Sequence, residues 1–394
     1  MSRRRTVTGS VNVADASARS SHHSGLTKRY MLQASIASSL SLTCFPPLRA
    51  APSSGVVAGA IRWDAWYQRS GSSVGAQDDL SFAKFQSRAP SHCKVGPANQ
   101  ITCIGTQETL DREIEAAARA GLKFWAFVWY DPNSSLRAAW NLYQSSSLRD
   151  QINWCGIVSL ASWNSAPSDQ SRWQTNVQQW AEYMSAPNYQ RVGSDGRSPG
   201  RPLLFLLWDQ RQFEGFFENL DNLGRSLDLL RERVTAAGGD APYIVILRGT
   251  EGAPILSRIG ADAIGGYVPR FRQVPAGRYA DLDQQARAYW AALEATGKPI
   301  VPIAIVGWDT RPRQEHPGPF SHVQVPERYY AMSTPAELSG HMRAAVGFIR
   351  RNESACPSKV LLIYSWNECD EGGGLIPTLG DPTGSYLVAI SSIL

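Results

Sequence analysis

The chain has 394 residues, 43% of them hydrophobic, and a formal net charge of +5. That length is enough for one large domain or two smaller ones, and no uninterrupted apolar run approaches the ~20 residues that span a bilayer. The positive charge belongs to the start: residues 1–52 carry Arg3, Arg4, Arg5, Arg19, Lys28, Arg29 and Arg49 against Asp15, a balance of +6, which leaves −1 for the rest. The body therefore offers no electrostatic footprint for nucleic acid.

Residues 1–52 read as a leader. Lys28-Arg29 precedes a modestly apolar stretch, residues 31–45, and small residues follow at Ala50-Ala51, the layout of an export signal. Export to the periplasm or the exterior is the expectation; a disordered cytoplasmic tail is the alternative. Residues 53–394 are expected to form one catalytic domain.

Short apolar runs then alternate with helical ones, the pattern of parallel βα units. The strand runs are 59–67, 123–130, 153–162, 202–208, 243–247, 263–267, 299–306 and 359–366. Several are almost wholly apolar, as strands buried on both faces require. Helical spacing covers 109–120, stopped by Gly121, and the stripe Trp173, Val177, Trp180 and Met184 before Pro187. It returns at 223–236 before Gly238-Gly239, at 282–296 before Gly297, at 335–350 and at 385–394. Eight strands with helices between them predict an α/β fold: a single (β/α)₈ TIM barrel with enlarged βα loops. No glycine-rich phosphate loop follows the first strand, which weighs against a doubly wound sheet.

Five cysteines follow the leader. Cys93 and Cys103 flank a short polar loop containing Gly96 and Pro97, and in an oxidising compartment they would close a small disulfide ring. Cys155, Cys356 and Cys369 lie far apart, and the six histidines are scattered. No spacing resembles a zinc site, and neither a metal nor a cofactor is expected.

In a barrel the chemistry sits at the C-terminal strand ends. Those ends carry Asp64, Trp66 and Tyr67; Trp129 and Asp131; Trp163 and Asn164; Trp208 and Asp209; Tyr267; Trp308, Asp309 and Arg311; and Trp366 and Asn367. Tryptophan recurs at six of the eight ends. Indoles beside carboxylates and amides suit a sugar, whose C–H face stacks on aromatic rings while its hydroxyls need paired donors and acceptors. These residues are the expected substrate contacts, with a carbohydrate as the partner; each tryptophan taken singly reads first as core filler, and it is their gathering beside acids that favours a cleft. Arg311 and Arg313 either clamp a substrate anion or pair with rim acids. His316 and His322 lie in the following proline-rich loop, as scaffold or as ligand contacts.

Beyond the last strand, Glu368 and Glu371 stand three residues apart before Gly372-Gly373-Gly374. Two carboxylates on one loop can approach closely, and their repulsion raises one pKa and keeps an acid protonated near neutrality. They are the candidate catalytic residues.

The segment Trp366-Asn-Glu-Cys-Asp-Glu-Gly372 resembles the Asn-Glu-Trp-x-Glu-Gly signature of glycoside hydrolase family 99 and the related glycosyltransferase WbsX-like proteins. The segment Gly307-Trp-Asp-Thr-Arg-Pro-Arg313 is similar to that family's Gly-Trp-Asp-Asn-Thr-Pro-Arg. The succession from Trp173 through Pro187-Asn-Tyr189 to Gly200-Arg-Pro-Leu-Leu-Phe205 follows it in order. Cys369 stands where the family has tryptophan. The resemblance implies a barrel that hydrolyses glycosidic bonds. It implies that Glu368 deprotonates a sugar 2-hydroxyl to form an anhydro-sugar, and that Glu371 protonates the leaving oxygen and then activates water.

Other functions stay open at this point. One is a glycosyltransferase of polysaccharide biosynthesis, for which no diphosphate cradle is visible. A catalytically silent carbohydrate-binding barrel is another. The last is a conventional two-carboxylate hydrolase with Asp64, Asp131 or Asp209 as nucleophile. A free Cys369 in an acidic cleft would have a raised thiol pKa and make a poor nucleophile.

Overall fold

The computed structural model describes residues 55–163, 170–193, 198, 200–269, 271, 274–316 and 328–394. The leader, Asn164 and His322 lie outside the described residues. Eight parallel strands form the centre: β1 Val57–Arg62, β2 Phe124–Val128, β3 Asn153–Ser159, β4 Arg201–Leu207, β5 Tyr243–Leu247, β6 Ala263–Gly265, β7 Ile303–Ile305 and β8 Val360–Tyr364. Consecutive strands pair from β1 to β6 and again from β7 to β8, and β8 returns to pair with β1. The remaining gap, between β6 and β7, is bridged by Ile264 opposite Ile300. There the Ile264 amide donates to Pro299 O at 3.0 Å and the Val301 amide to Ile264 O at 2.9 Å. The ring is that of a (β/α)₈ barrel, as the sequence predicts.

The seventh strand is shorter than its apolar run. Pro299 and Pro302 carry no amide hydrogen, so a ladder through both cannot be continuous. Regular pairing begins only at Ile303.

The helices lie where the periodicity places them: Gln107–Arg119, Gln170–Ser185, Leu220–Ala236, Tyr279–Glu294, Pro335–Arg351 and Ser385–Ser391. Their starts follow from local chemistry. Thr106 accepts from the Thr109 amide at 3.2 Å, Asn219 from the Asn222 amide at 2.9 Å, and Thr334 with Glu337 forms a capping box; such caps contribute about 1 kcal/mol each. Gly121, at φ 88°, turns the chain out of the first of them. Among the described residues no helix is long and apolar enough to cross a membrane.

The longest excursion joins β1 to the helix Gln107–Arg119. It contains the helix Ser72–Asp79 and a hairpin of Lys94–Val95 with Ile101–Thr102. The Cys93–Cys103 disulfide, expected from spacing, closes that hairpin.

The strands' period of two divides the aromatic side chains between the barrel interior and the helix layer. Trp125, Phe127 and Trp129 alternate along β2 and its extension toward the helices. Trp125 meets Tyr143, and Trp129 packs against Trp140, Trp154, Trp180 and Tyr183. Arg62 is enclosed in the same layer, 4.3 Å from the Trp125 ring centroid. Its charge is met by Asp64 at 3.1 Å and by Glu113, from the helix Gln107–Arg119, at 2.9 Å.

Candidate active site

Two glycines of the run that follows β8 fold the chain back over the strand end. The Ser365 and Gly373 main chains pair at 2.7 Å, and Gly372 takes φ 70°, so that the turn Cys369–Glu371 sits on the mouth of the barrel. A side chain at Gly372 would strain that backbone and meet Met332 Sδ at 2.9 Å. The Ser365 hydroxyl accepts from the Glu368 amide at 2.8 Å and fixes the first glutamate as the chain leaves the strand.

Both candidate carboxylates are inside this structure. Glu368 is buried, with Tyr267 donating to Oε1 at 2.6 Å from the end of β6 and Arg313 Nη2 donating to Oε2 at 3.2 Å. Glu371 is mostly buried; its two oxygens accept from Arg313 Nη1 and from the Tyr364 hydroxyl. One guanidinium thus bridges the pair, and its Nε donates to Asp370 Oδ2 at 2.6 Å. Burial lifts the Glu368 carboxyl to about 7; the Arg313 charge works against the rise and the Asp370 charge adds to it. Burial and the Glu368 charge push the Tyr267 phenol well up, so it keeps its proton and donates.

Residues around the pair come from several strand ends. Tyr267 meets Tyr364 edge-on at 5.7 Å, and Trp308 lies 5.8 Å from Tyr364. The Trp63 indole donates to the Tyr130 hydroxyl at 2.8 Å, and its ring lies 5.3 Å from the Arg313 guanidinium carbon. Tyr130 is close enough to Glu368 to feel its charge.

The other expected contacts have partners of their own or are exposed. Trp66, Tyr67, Trp163 and Trp366 are enclosed: their polar atoms serve Asn367 O at 2.7 Å, Glu113 at 2.8 Å, Ser226 at 3.0 Å and Glu113 at 3.0 Å. They fill the fold and do not reach a cleft. Trp129 belongs to the aromatic layer described above. Asp64 is spent on Arg62 and Asn367, and Asn367 in turn accepts from the Trp63 amide at 2.8 Å, so this pair ties the end of β8 to that of β1. Asp131 and Asp209 are exposed, and Asp209 caps the helix Gln210–Phe216. Trp208 stacks on Phe213 at 4.8 Å with the Arg248 guanidinium 4.5 Å from its ring.

Asp309 is enclosed between Arg88 and Arg311, whose hydrogen bonds and charges outweigh burial and hold its carboxyl below the usual range. Arg311 and Arg313 both pair with rim acids, and the Arg311 guanidinium also lies 3.4 Å from the Tyr329 ring centroid. Burial first, and then the Asp370 and Glu368 charges, push the Cys369 thiol well up, which leaves it neutral.

Arg313, Tyr364, Tyr130 and Trp63 are the site residues the sequence reading passed over or left undecided. Parity along the strands was the signal for three of them. Counting by twos, Trp63 follows Ile61, Tyr130 follows Val128 and Tyr364 follows Leu362, while the expected contacts Asp64, Trp129 and Trp366 serve Arg62, the aromatic layer and Glu113.

A cavity of about 310 Å³ adjoins the same turn at Cys369, Gly372 and Gly374, walled by Arg88, Met332 and Tyr386; neither glutamate lines it. Among the described residues no group of three or more His, Cys, Asp or Glu could hold a metal ion.

No family model matches the chain, and no curated protein does. Solved structures similar to it include the GH99 endo-α-mannosidase of Bacteroides thetaiotaomicron, with 15% identity over 82% of this chain and 87% of that one and a TM-score of 0.47. A GH5-4 broad-specificity endoglucanase from Bacteroides salanitronis matches at 11% identity over 73% and 85%, TM-score 0.38. An endo-1,4-β-mannanase from Rhizomucor miehei matches at 10% over 73% and 90%, TM-score 0.36. At these values the likeness assigns no substrate and no catalytic residue.

Proposed function

We propose that the chain is a glycoside hydrolase acting on an oligosaccharide or polysaccharide, with Glu368 and Glu371 as its catalytic pair. One observation carries the reading: two carboxylates at the end of β8 are bridged by a single guanidinium in the barrel mouth, and one of them is poised near neutrality. A base with a pKa near the working pH combines availability with driving force. In this reading Glu368 takes the proton of a sugar 2-hydroxyl, whose oxygen attacks the anomeric carbon as the glycosidic bond breaks. Glu371 gives its proton to the leaving oxygen, then takes one from the water that opens the anhydro-sugar, as Glu368 returns its proton to the 2-oxygen. Aromatic faces at Trp63, Tyr130, Tyr267 and Trp308 border the pair and suit a pyranose.

The leader and the Cys93–Cys103 disulfide fit an exported protein, and export is part of the proposal. The purified protein should be assayed against a panel of aryl glycosides and polysaccharides, beside nucleotide sugars. Hydrolysis of a member of the panel supports the reading. Turnover only with a nucleotide sugar, or binding with no turnover at all, contradicts it.

A further inference from the structure

Behind the glutamates lies a carboxyl that the proposed chemistry does not use. Asp79 ends the helix Ser72–Asp79, is fully buried, and neither of its oxygens meets a hydrogen-bond donor. Asp370 Oδ1, also buried, meets none either, while Asp370 Oδ2 is held by Arg313. The helix packs against both the Cys369–Glu371 turn and the helix Arg311–Glu315. The charges facing Asp79 are Asp370 from that turn, Arg313 and His316 from the other helix and its end, and Asp78 from its own helix. His316 Nδ1 stands 3.6 Å from Asp79 Oδ1 but is largely exposed, and Asp78 is engaged by Arg69 at 2.6 Å.

Two neighbouring carboxylates with three donorless oxygens between them cost several kcal/mol if both stay ionised in a dry site. Sharing one proton removes that cost, as paired acids do elsewhere. We infer that Asp79 is a positioning residue, a neutral acid that shares its proton with Asp370 and so leaves Asp370 the anion that anchors Arg313 Nε. The guanidinium is then held with Nη1 on Glu371 and Nη2 on Glu368. This role rests on the reading of those glutamates as the catalytic pair.

The state of the site then depends on pH. Burial, with the Asp370 charge, lifts the Asp79 carboxyl to about 8. Above that pH a second anion competes for Arg313, and the grip on the glutamates loosens.

Infrared difference spectra of the full chain, taken as pH rises from about 6 to about 10, test this directly. Among the protonated-carboxyl signals that disappear, one from Glu368 should be followed by a later one from Asp79; Asp79→Asn should lose only the later one. In parallel, kcat/KM of the wild type should fall on the alkaline side with the later signal. Asp79→Asn, whose amide still donates to Asp370, should lose less than about tenfold at neutral pH and lack that alkaline limb. Asp79→Leu, with no donor, should lose more than tenfold with its fold intact by circular dichroism. A missing later signal, or an Asp79→Asn profile matching the wild type, overturns the inference. The signal present with no glycoside turned over supports the neutral acid and defeats the hydrolase reading instead.

Discussion

The Tyr267 hydroxyl donates to Glu368 Oε1 at 2.6 Å, joining the end of β6 to the end of β8 across the barrel mouth. This bond lowers the carboxyl's pKa against the burial that raises it. Tyr267→Phe should therefore move the Glu368 titration above 7. Because the base must be ionised, kcat/KM falls as pH drops through that value, and in the variant the acid limb should shift to higher pH. A limb that stays in place would separate Tyr267 from the titrating group.

Arg313 carries Glu368, Asp370 and Glu371 together. Arg313→Gln leaves these acids enclosed without their cation, and breaking such a group typically costs about 3–5 kcal/mol. Urea denaturation near neutral pH should show that loss as a lower midpoint with little change in slope. The loss should shrink on acidification, as protonation removes the stranded charges.

Much of the fold was legible because strands buried on both faces announce themselves as apolar runs, and Gly121 and Pro187 punctuate the helices between them. The site was legible in part. Glu368 and Glu371 stood out by position, yet several tryptophans gathered at the strand ends pack inside the fold. Nearness to a strand end says nothing of the face: Trp129 and Trp366 turn to the helices, whereas Tyr130 and Tyr364 reach the acids. Arg313 read equally as an anion clamp, since the three acids that claim it meet it only once β7 and β8 lie side by side. Asp79 gave no sequence signal at all. Its role comes from the helix Ser72–Asp79 packing against a turn far away in the chain.

The group of Arg62, Asp64, Glu113, Tyr67 and Trp366 joins β1, β8 and the helix Gln107–Arg119. Glu113→Ala strands part of the Arg62 charge and leaves two buried donors unmet. A destabilisation of about 3–5 kcal/mol is expected, measured by denaturant unfolding, with the distant titration of Glu368 unchanged.

The Cys93–Cys103 bond closes a short ring, for which chain-entropy arguments give roughly 2–3 kcal/mol. Reductant should lower the thermal midpoint of the wild type and leave the Cys93→Ala/Cys103→Ala variant unmoved.

Asp79 also links stability to pH. Its folded-state pKa lies above the unfolded value, so the native chain holds the proton more tightly. Its contribution is fully present below the unfolded pKa and is lost as pH rises to about 8. Asp79→Asn should flatten that part of the slope in thermal unfolding across the range.

The central claim is most directly tested by comparing Glu368→Gln and Glu371→Gln on two aryl glycosides of the accepted sugar, one with a good leaving group and one with a poor one. The account predicts that Glu371→Gln loses at least ~10²-fold on the poor leaving group and far less on the good one, while Glu368→Gln loses heavily on both. Wild-type rates from both folded variants on both substrates would contradict it.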